Sequence, residues 1–180
     1  MKTYALVVAH DEKLGIGKDN KLPWHIKADM KYFRDLTTNL SVNDRSDSQK
    51  KNVVIMGRKT WESLPDNYKP LPNRVNVVIS RNSNYALPAS VLHSKSIEEA
   101  LNIFEQKNFG NIFVIGGAAI YQTAIKMNVF RTLYVTALEG KYNCDVFFPE
   151  YQNIFDLIES SAPILEGNYR FFFKTFKRKA

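Results

Sequence analysis

The sequence predicts a single-domain α/β protein built on a mixed, mostly parallel sheet. Apolar runs rich in β-branched residues recur along the chain, and segments with helical spacing lie between them, which is the pattern of strands connected by helices. The length agrees, because 180 residues with 44% hydrophobic residues suffice for one domain with one substantial core.

Five apolar runs are predicted as strands. They are YALVVA at 4–9, NVVIMG at 52–57, VNVVIS at 75–80, NIFVIG at 111–116 and TLYVTAL at 132–138. Most lack polar alternation, which indicates burial on both faces of the sheet. The ending YRFFFKTFKR alternates and is predicted as a final edge or hairpin strand, whose antiparallel addition makes the sheet mixed.

Three segments with helical spacing separate the strands. They are IKADMKYFRDLT at 26–37, SIEEALNIFEQ at 96–106 and AAIYQTAIK at 118–126. Residues 39–52 are polar and without periodicity, so we interpret them as a surface loop insertion rather than a linker. The domain prediction is therefore one unit over residues 1–180.

Composition limits the classes of partner and the compartment. The 25 Lys and Arg against 18 Asp and Glu give a net charge of +7, which favours anionic ligands without choosing among them. The single Cys144 excludes an internal disulfide, the apolar start is too short for a signal peptide, and no apolar run is long enough to span a membrane. These features predict a cytoplasmic protein.

The segment LGIGKDNKLPW at 14–24 combines two glycines with Lys18. It lacks the GxxxxGK[ST] spacing of a phosphate-binding loop. A flexible segment that ends on the rigid pair Pro23 and Trp24 instead resembles a lid, which closes over a flat ligand and excludes water.

Asp29 borders an apolar helix stripe formed by Ile26, Met30 and Phe33. One interpretation is a solvated acid beside the core. The other is a buried carboxyl whose pKa is raised towards neutrality, which would make it a proton handler. The residues around it leave both interpretations open.

Basic and hydroxyl side chains follow the ends of three predicted strands. Gly57 is followed by Arg58, Lys59 and Thr60 at a helix start. Ser80 and Arg81 lie in ISRN at 79–82, which ends a second strand, and Lys95 lies in HSKS at 93–96, which we interpret as the end of a third. At one edge of a parallel sheet such groups suit a phosphate, although each alone is typical of a solvated turn.

A strand runs directly into two glycines and then a helix in NIFVIGGAAIY at 111–121. Without a Cβ, Gly116 and Gly117 permit unusual dihedral angles and close approach of a ligand or of another backbone segment. A tight structural turn and a ligand cradle are equally compatible with this stretch.

Six motifs occur in the order and spacing of the dihydrofolate reductase family. They are GIGKDNKLPW, ADMKYF, IMGRKTWESLP, LPNRVNVVISR, VIGGAAIY, and YVT followed by DVFFPE. The chain resembles that family over nearly its whole length. The resemblance implies an eight-stranded mixed sheet and NADPH-dependent reduction of 7,8-dihydrofolate to 5,6,7,8-tetrahydrofolate, an antifolate-sensitive step of one-carbon metabolism, by hydride transfer to C6 and protonation of N5.

The resemblance also implies substrate roles. Asp29, with Thr136 as its hydrogen-bonding neighbour, would bind the pterin's amino and ring nitrogen groups and promote protonation electrostatically or through water. Trp24 and Leu22 complete the implied catalytic set, and Arg74 would grip the glutamate carboxylate. The implied lining of the substrate site is Val7, Val8, Ala9, Met30, Phe33, Leu64, Leu71, Ile115 and Tyr121.

NADPH is the implied cofactor, and no metal is expected. Arg58, Ser80, Arg81 and Lys95 would surround the 2′-phosphate, while Lys59 and Thr60 would meet the pyrophosphate. Gly116 and Gly117 would be joined by a cis peptide beside the pyrophosphate and nicotinamide. The remaining implied cofactor contacts are Ala9, Ile16, Gly17, Gly57, Ala118, Ala119, Ile120 and Tyr121.

The sequence departs from the family pattern at three places. Asn73 stands where many relatives have glycine, which is tolerable because asparagine also adopts left-handed conformations. Residues 39–52 are longer than in compact bacterial members, and Asp29 replaces the glutamate of vertebrate members. The family also implies a monomer, unless the domain is fused to thymidylate synthase.

Two other functions compete with this assignment. A pyrimidine reductase of riboflavin synthesis shares the architecture, but Trp24, Asp29 and Arg74 argue against it. A nucleic-acid-binding module would explain the charge, but interleaved aromatic and basic RNA motifs are missing, and the basic residues fall at the implied cofactor positions. We therefore expect no nucleic acid and no membrane partner.

Overall fold

One large sheet runs through the computed structural model, which describes residues 3–40, 50–105 and 108–180. The described strands are β1 (Tyr4–His10), β2 (Gly15–Gly17), β3 (Asn52–Gly57), β4 (Arg74–Ile79), β5 (Val91–Ser94), β6 (Ile112–Val114), β7 (Thr132–Leu138), β8 (Val146–Phe147), β9 (Phe155–Ser160), β10 (Ile164–Glu166) and β11 (Tyr169–Arg178). The helices are α1 (Lys27–Thr38), α2 (Arg58–Ser63), α3 (Ile97–Glu105) and α4 (Ala118–Ala124), with a short 3-10 turn over Asp66–Tyr68.

The sheet is mixed and mostly parallel, which confirms the predicted fold class. Its order is β10-β11-β7-β1-β6-β3-β4-β5, with parallel pairing from β7 through β5. The long β11 is antiparallel to β7, and β10 and β9 pair with different parts of its other side. The described sheet is thus eight positions wide, and β9 and β10 share one edge position. The two short strands β2 and β8 pair separately.

Most element boundaries agree with the sequence patterns. The strands predicted at 52–57 and 132–138 are confirmed to the residue. The strand predicted at 111–116 is shorter and covers Ile112–Val114. The final strand belongs to a hairpin as predicted, but it is not an edge strand, since β9 and β10 cover it. Residues 41–49, most of the predicted loop insertion, lie outside the described residues.

Helices cover both faces of the sheet. The alternating side chains of β1 show the division, because Leu6 and Val8 pack in the cluster that includes α3 and α4, while Ala5 and Val7 pack in the cluster that includes Trp61 of α2 and, at its margin, Phe33 of α1. The buried stripe of α3 is Ile97, Ala100 and Phe104. Burying a large apolar side chain of this kind contributes about 2–3 kcal/mol, so these contacts fix the helices against the strand ends that form the site.

Candidate active site

Strands that follow β1 and strands that follow β6 are added on opposite sides of this pair. The carboxyl ends of β1 and β6 therefore mark the point where the strand order reverses. After β1 the chain crosses to β3 and continues to β4 and β5, whereas after β6 it passes β1 to reach β7 on the other side. Open α/β sheets bind ligands at such a reversal, because the diverging connections leave a crevice outside the strand ends. Ala9 lies near the end of β1, and Ile115 to Gly117 follow β6.

Asp29 lies in the first turn of α1 and is partly buried. The Thr136 hydroxyl of β7 donates a hydrogen bond to Asp29 Oδ1 at 2.6 Å. Burial raises the pKa of the Asp29 carboxyl, the hydrogen bond from Thr136 lowers it, and the charge of Glu166 raises it further, with a net upward effect. The structure therefore favours the interpretation of Asp29 as a carboxyl removed from solvent over that of a solvated surface acid.

Apolar side chains near Asp29 in the sequence include two that are exposed. Leu22 and Met30 leave 56% and 43% of their surface exposed, so a flat ligand would bury apolar area there. Phe33, Leu64 and Ile115 are partly buried and pack at the margin of the cluster that contains Val7.

Trp24, the last residue of the lid segment, is buried in a cluster with Ile26, Leu138 and Phe171. Its ring meets Tyr142 edge to face, with the ring centroids 5.5 Å apart. The indole Nε1 is buried and has no hydrogen-bond partner within the described residues. An unpaired buried donor costs about 1–3 kcal/mol.

Arg74 begins β4, and only 8% of its surface is exposed. Its Nε donates to the Pro72 carbonyl at 3.0 Å and its Nη1 to the Thr37 hydroxyl at 2.8 Å, while the guanidinium lies 5.7 Å from the centre of the Phe33 ring. Burial and then the charge of Arg34 lower the pKa of Arg74 to about 10, so the group remains charged at neutral pH. No acidic side chain in the described part of the chain forms an ion pair with it. A fixed, buried guanidinium of this kind suits a carboxylate ligand.

The backbone is tightly packed where β6 meets α4. Gly57 N donates to the Gly116 carbonyl at 2.7 Å, and the Gly116–Gly117 peptide is cis, as the resemblance implied. Gly116 has φ of +120°, and a Cβ on Gly117 would lie 3.2 Å from Thr60 Oγ1. Across the turn, a Cβ on Gly57 would approach Ile120 to 3.0 Å. The glycines are thus required by the turn itself, and they leave backbone rather than side chains at the crevice.

Cations follow the carboxyl ends of three adjacent strands. Arg58 follows β3, Arg81 follows β4 and Lys95 follows β5, and the strand ends are in register through Gly57, Ile79 and Ser94. All three side chains are exposed, as is that of Lys59, whereas Ser80 is buried with its backbone amide bonded to the Ser94 carbonyl. The structure thus brings these predicted phosphate contacts to one edge of the sheet.

Arg58 is already engaged at this edge. Its Nη1 donates to Glu62 Oε1 at 2.9 Å, and the Tyr85 hydroxyl donates to the same oxygen at 3.1 Å. The Arg58 guanidinium also lies 5.9 Å from the centre of the Tyr85 ring. A phosphate would therefore compete with Glu62 for Arg58.

Several predicted residues contribute little side-chain surface to the crevice. Val8 and Tyr121 belong to the buried cluster on the α3–α4 face, where the Tyr121 hydroxyl donates to the Val7 carbonyl at 2.6 Å. Leu71 is buried, and its amide and carbonyl bond to the Asn76 side chain. The other predicted cofactor residues lie in β2 (Ile16 and Gly17) and at the start of α4 (Ala118 and Ala119).

Sequence reasoning missed the polar residues that hold the site in place. Asn52, fully buried, donates through Nδ2 to the carbonyls of Thr37 and Asn39 at the end of α1, at 3.0 and 2.9 Å. The Asn76 side chain hydrogen-bonds the backbone of Leu71 and of Arg74, and so fixes the loop before β4. Both asparagines interrupt or begin apolar runs, KNVVIM and VNVVIS, and that pattern is a signal of buried polar networks.

Asp11 anchors the lid segment. Its Oδ1 accepts from the backbone N–H groups of Lys13 and Gly15, each at 2.8 Å, and its Oδ2 accepts from Tyr142 N at 3.0 Å. These bonds hold the pKa of Asp11 below its usual value despite burial. No sequence pattern pointed to this role, because the partners of Asp11 are backbone groups.

Across residues 3–40, 50–105 and 108–180, no three side chains of the metal-ligating types gather as a metal site would require. No helix in those same ranges is both long and apolar enough to cross a lipid bilayer.

Comparison with known proteins gives one consistent result. The family model described as dihydrofolate reductase matches residues 3–178. The chain is 38% identical over 157 residues to a dihydrofolate reductase of Drosophila melanogaster, covering 86% of this chain and 84% of the relative. It is 34% identical over 182 residues to that of Heliothis virescens, with 96% of each chain covered.

Longer plant proteins match as well. The chain is 41% identical over 183 residues to the bifunctional dihydrofolate reductase-thymidylate synthase 2 of Arabidopsis thaliana, covering 98% of this chain but 32% of that protein. The chain therefore spans about a third of the length of these bifunctional relatives.

Proposed function

The chain belongs to the dihydrofolate reductase family, and from that premise we propose that it reduces 7,8-dihydrofolate to 5,6,7,8-tetrahydrofolate with NADPH. The observation that carries the proposal is the Asp29 carboxyl, which is partly buried, bonded to Thr136 and raised in pKa beside the crevice at the strand reversal. Family membership sets the reaction class, and this site supplies its chemistry.

Substrate binding uses the two buried ionisable groups. The Asp29 carboxylate accepts hydrogen bonds from the amino group and ring nitrogen of the pterin, and the charge makes these bonds directional. Arg74 receives the glutamate carboxylate, for which its guanidinium is held by Thr37 and Pro72. The apolar surfaces of Leu22, Met30 and Phe33 are suited to the flat rings between these two ends.

The chain's own contribution to the chemistry concerns the proton. NADPH supplies the hydride that C6 of the pterin receives. Asp29 favours protonation of N5 either electrostatically, as the ionised carboxylate, or by passing a proton through a bound water. Burial raises the pKa of Asp29, so on the second route it holds that proton closer to neutral pH than a solvated carboxyl does. Trp24 and Leu22, at the end of the lid segment, exclude water from the reacting atoms.

The strand-end cations support NADPH as the cofactor. Arg58, Arg81 and Lys95 lie on adjacent strand ends and suit a 2′-phosphate, with Ser80 between them. Lys59 and Thr60, at the start of α2, suit the pyrophosphate, and the half-buried Gly117 leaves room for it because it has no side chain. The residues present therefore fit the group that the family requires.

The direct test is whether oxidation of NADPH by the purified chain depends on added dihydrofolate. We expect turnover with NADPH well above that with NADH, and loss of turnover in Asp29→Asn. A chain that oxidises NADPH only with a pyrimidine substrate, or binds nucleic acid tightly and with a steep salt dependence, would contradict the proposal.

Location and partners are further parts of the proposal. We propose that this activity resides in the cytoplasm and that the protein is a monomer unless the domain is fused to thymidylate synthase. The bifunctional relatives are named for a thymidylate synthase activity as well. Assays of the protein isolated from its cell should therefore measure both activities.

A further inference from the structure

The first turn of α1, which carries Asp29, is not capped by its own preceding residue. The residue at the N-cap position is Ile26, whose hydrocarbon side chain offers no acceptor to the unpaired N–H groups of that turn. Unpaired amides at a helix start leave the turn free to fray. A catalytic carboxyl in that turn needs another means of being held in place.

Glu166 supplies that cap from a distant part of the chain. Its Oε1 accepts from Lys27 N at 2.6 Å and its Oε2 accepts from Ala28 N at 2.9 Å. Both oxygens of one carboxylate thus bind the two amides that directly precede Asp29. These bonds hold the pKa of Glu166 below its usual value, so the group is ionised at neutral pH.

The hairpin that carries Glu166 is built on the same strand pair as the other partner of Asp29. Glu166 ends β10 and pairs with Tyr169 across a turn in which Gly167 has φ of +58°. From there β11 runs along β7, where Phe173 lies opposite Thr136. Asp29 is therefore held from two sides, by Thr136 through its carboxyl and by Glu166 through its backbone.

We propose that Glu166 is a positioning residue for the Asp29 carboxylate, which acts from the β10–β11 hairpin through the first turn of α1. The inference rests on the proposed function, because it concerns the residue that handles the proton there. It adds a residue outside the crevice, on an element that none of the sequence motifs covers.

Charge gives Glu166 a second effect on Asp29. The groups that act on the Asp29 carboxyl are the Thr136 hydroxyl from β7 and the Glu166 carboxylate from β10, and the Asp29 charge in turn acts on Tyr32 within α1. Lys27 and His25 lie beside Glu166 and partly offset its charge. A second negative charge disfavours ionisation of Asp29, so removing it should lower the pKa of Asp29.

The experiment compares the parent with Glu166→Asp and Glu166→Gln. Aspartate keeps the charge but is one methylene shorter, and glutamine removes the charge and one of the two acceptor oxygens. Glu150→Gln, an exposed glutamate just before Tyr151, is the matched control. Two quantities are measured: the Asp29 carboxyl titration by NMR in the ligand-free protein, and the pH dependence of kcat/KM for dihydrofolate.

We expect the titration midpoint of Asp29 to fall from the parent to Glu166→Asp and again to Glu166→Gln, by about 0.3 pH unit or more in total. Above the midpoint, kcat/KM should fall by the same factor, about twofold, because the reaction takes up one proton at N5 and a smaller fraction of the ligand-free enzyme brings that proton on Asp29. Glu150→Gln should leave both quantities at the parent values.

An Asp29 titration midpoint that is the same in all three proteins would overturn the inference. This holds even if the variants unfold at a lower temperature, because Glu166 would then only stabilise the start of α1. If Glu166→Gln does not fold, the parent and Glu166→Asp midpoints decide the matter alone. A parent that fails to reduce dihydrofolate would refute the proposed function instead, and the NMR titration would still test the role of Glu166.

Discussion

At the scale of single residues, the proposed site depends on one carboxyl, Asp29, and one guanidinium, Arg74. Burial shifts the pKa of each away from its value in water. Asp29 has a raised pKa because desolvation outweighs the hydrogen bond from Thr136. Arg74 keeps its charge although burial lowers its pKa to about 10. Both groups are held by hydroxyls, Thr136 and Thr37, which lie on the sheet and on α1.

Asp29→Asn should lose activity and gain stability. The proton-handling role is removed, so turnover should fall by about 100-fold or more. A folded-state pKa above the unfolded value means that the native protein binds more protons, so ionised Asp29 costs stability once the pH exceeds the unfolded value of 3.8. We therefore expect a higher melting temperature than the parent at pH 7 and a gap that closes as the pH falls towards 3.8.

Asp35→Asn is the control of opposite sign for this prediction. Hydrogen bonds from Lys31 and Arg34 lower the pKa of Asp35, so its charge stabilises the fold above its unfolded value. Its variant should melt slightly below the parent at pH 7 and retain full turnover. Equal melting shifts in the two variants would contradict the burial of Asp29.

Arg74→Leu should raise KM for dihydrofolate at least tenfold, because a charge-assisted hydrogen bond contributes about 1.5–3 kcal/mol. Affinity for NADPH should hardly change. Thr37→Val removes the hydroxyl that accepts from Arg74 Nη1 and donates to the Phe33 carbonyl, and it should give a smaller rise in KM at similar kcat.

A reduced pterin without the glutamate group provides the specificity test for Arg74. Its KM should be the same in the parent and in both variants, since the contact under test is missing. If KM rises for this compound as much as for dihydrofolate, the substitution has disturbed the site as a whole.

At the scale of elements, the site is assembled from strand ends and from a short lid. The lid is fixed by the β2–β8 pair, by Asp11 and by the bond from Asp19 N to Asp145 Oδ2 at 3.0 Å. Close packing limits its residues, because a Cβ on Gly15 would lie 2.5 Å from the Cys144 Cβ. The proposed cofactor edge instead consists of exposed cations after β3, β4 and β5.

Gly15→Ala should displace β2 from β8 and lower kcat/KM for dihydrofolate through poorer lid closure. The double variant Gly15→Ala with Cys144→Gly removes the two nearest atoms, Cys144 Cβ and Sγ, and should recover most of the loss. Steady-state kinetics of the two single variants and the double variant form a double-mutant cycle. Additive losses, with no recovery, would show that the contact between Gly15 and Cys144 does not limit the lid.

Arg58→Ala with Arg81→Ala should narrow the preference for NADPH over NADH and leave catalysis intact. Each charge-assisted contact to phosphate contributes about 1.5–3 kcal/mol, so NADPH affinity should fall at least tenfold. NADH affinity should remain nearly constant, because NADH lacks the 2′-phosphate.

The matched control for the cofactor edge is Arg131→Ala with Lys141→Ala. It removes the same charge from two exposed residues, one just before and one just after β7 in the sequence. Its preference ratio should equal that of the parent. The assignment of this edge fails if both double variants keep the parent ratio, or if both change it equally.

At the scale of the whole molecule, the sheet holds two kinds of surface at one crevice. Helices α1 and α2 bring the carboxyl and apolar groups to one face, while α4 closes the other face behind the glycine turn. The net charge of +7 is consistent with two anionic ligands, and the predicted contacts use part of it at Arg74 and at the cofactor edge.

Ligand binding should therefore stabilise the whole fold. A ligand that binds only the native state at 100 times its Kd adds about 2.7 kcal/mol, so saturating NADPH should raise the melting temperature clearly more than NADH at the same concentration. The Arg58→Ala and Arg81→Ala double variant should lose most of this difference. A parent protein whose melting temperature responds equally to the two nucleotides would contradict the 2′-phosphate site.

Much of the fold could be predicted from the sequence. The apolar runs at 52–57 and 132–138 are strands to the residue, because strands buried on both faces are continuous in hydrophobicity. Asn73 does adopt the left-handed conformation, with φ of 60°, that its place in the motif implied. The final strand was mistaken as a possible edge because β9 and β10, which cover it, have no strong apolar pattern of their own.

The sequence by itself determined the fold class, the family and the residue types at the strand ends, because periodicity and motif spacing are local properties of the chain. Only the tertiary structure decided which groups are shielded from water and what holds them. Three hydrogen bonds show this: Thr136 to Asp29, Arg74 to Thr37, and Lys27 N at the start of α1 to Glu166. They join residues 37 to 139 positions apart in the sequence. Such contacts arise from the order of strands in the sheet, which no local pattern contains.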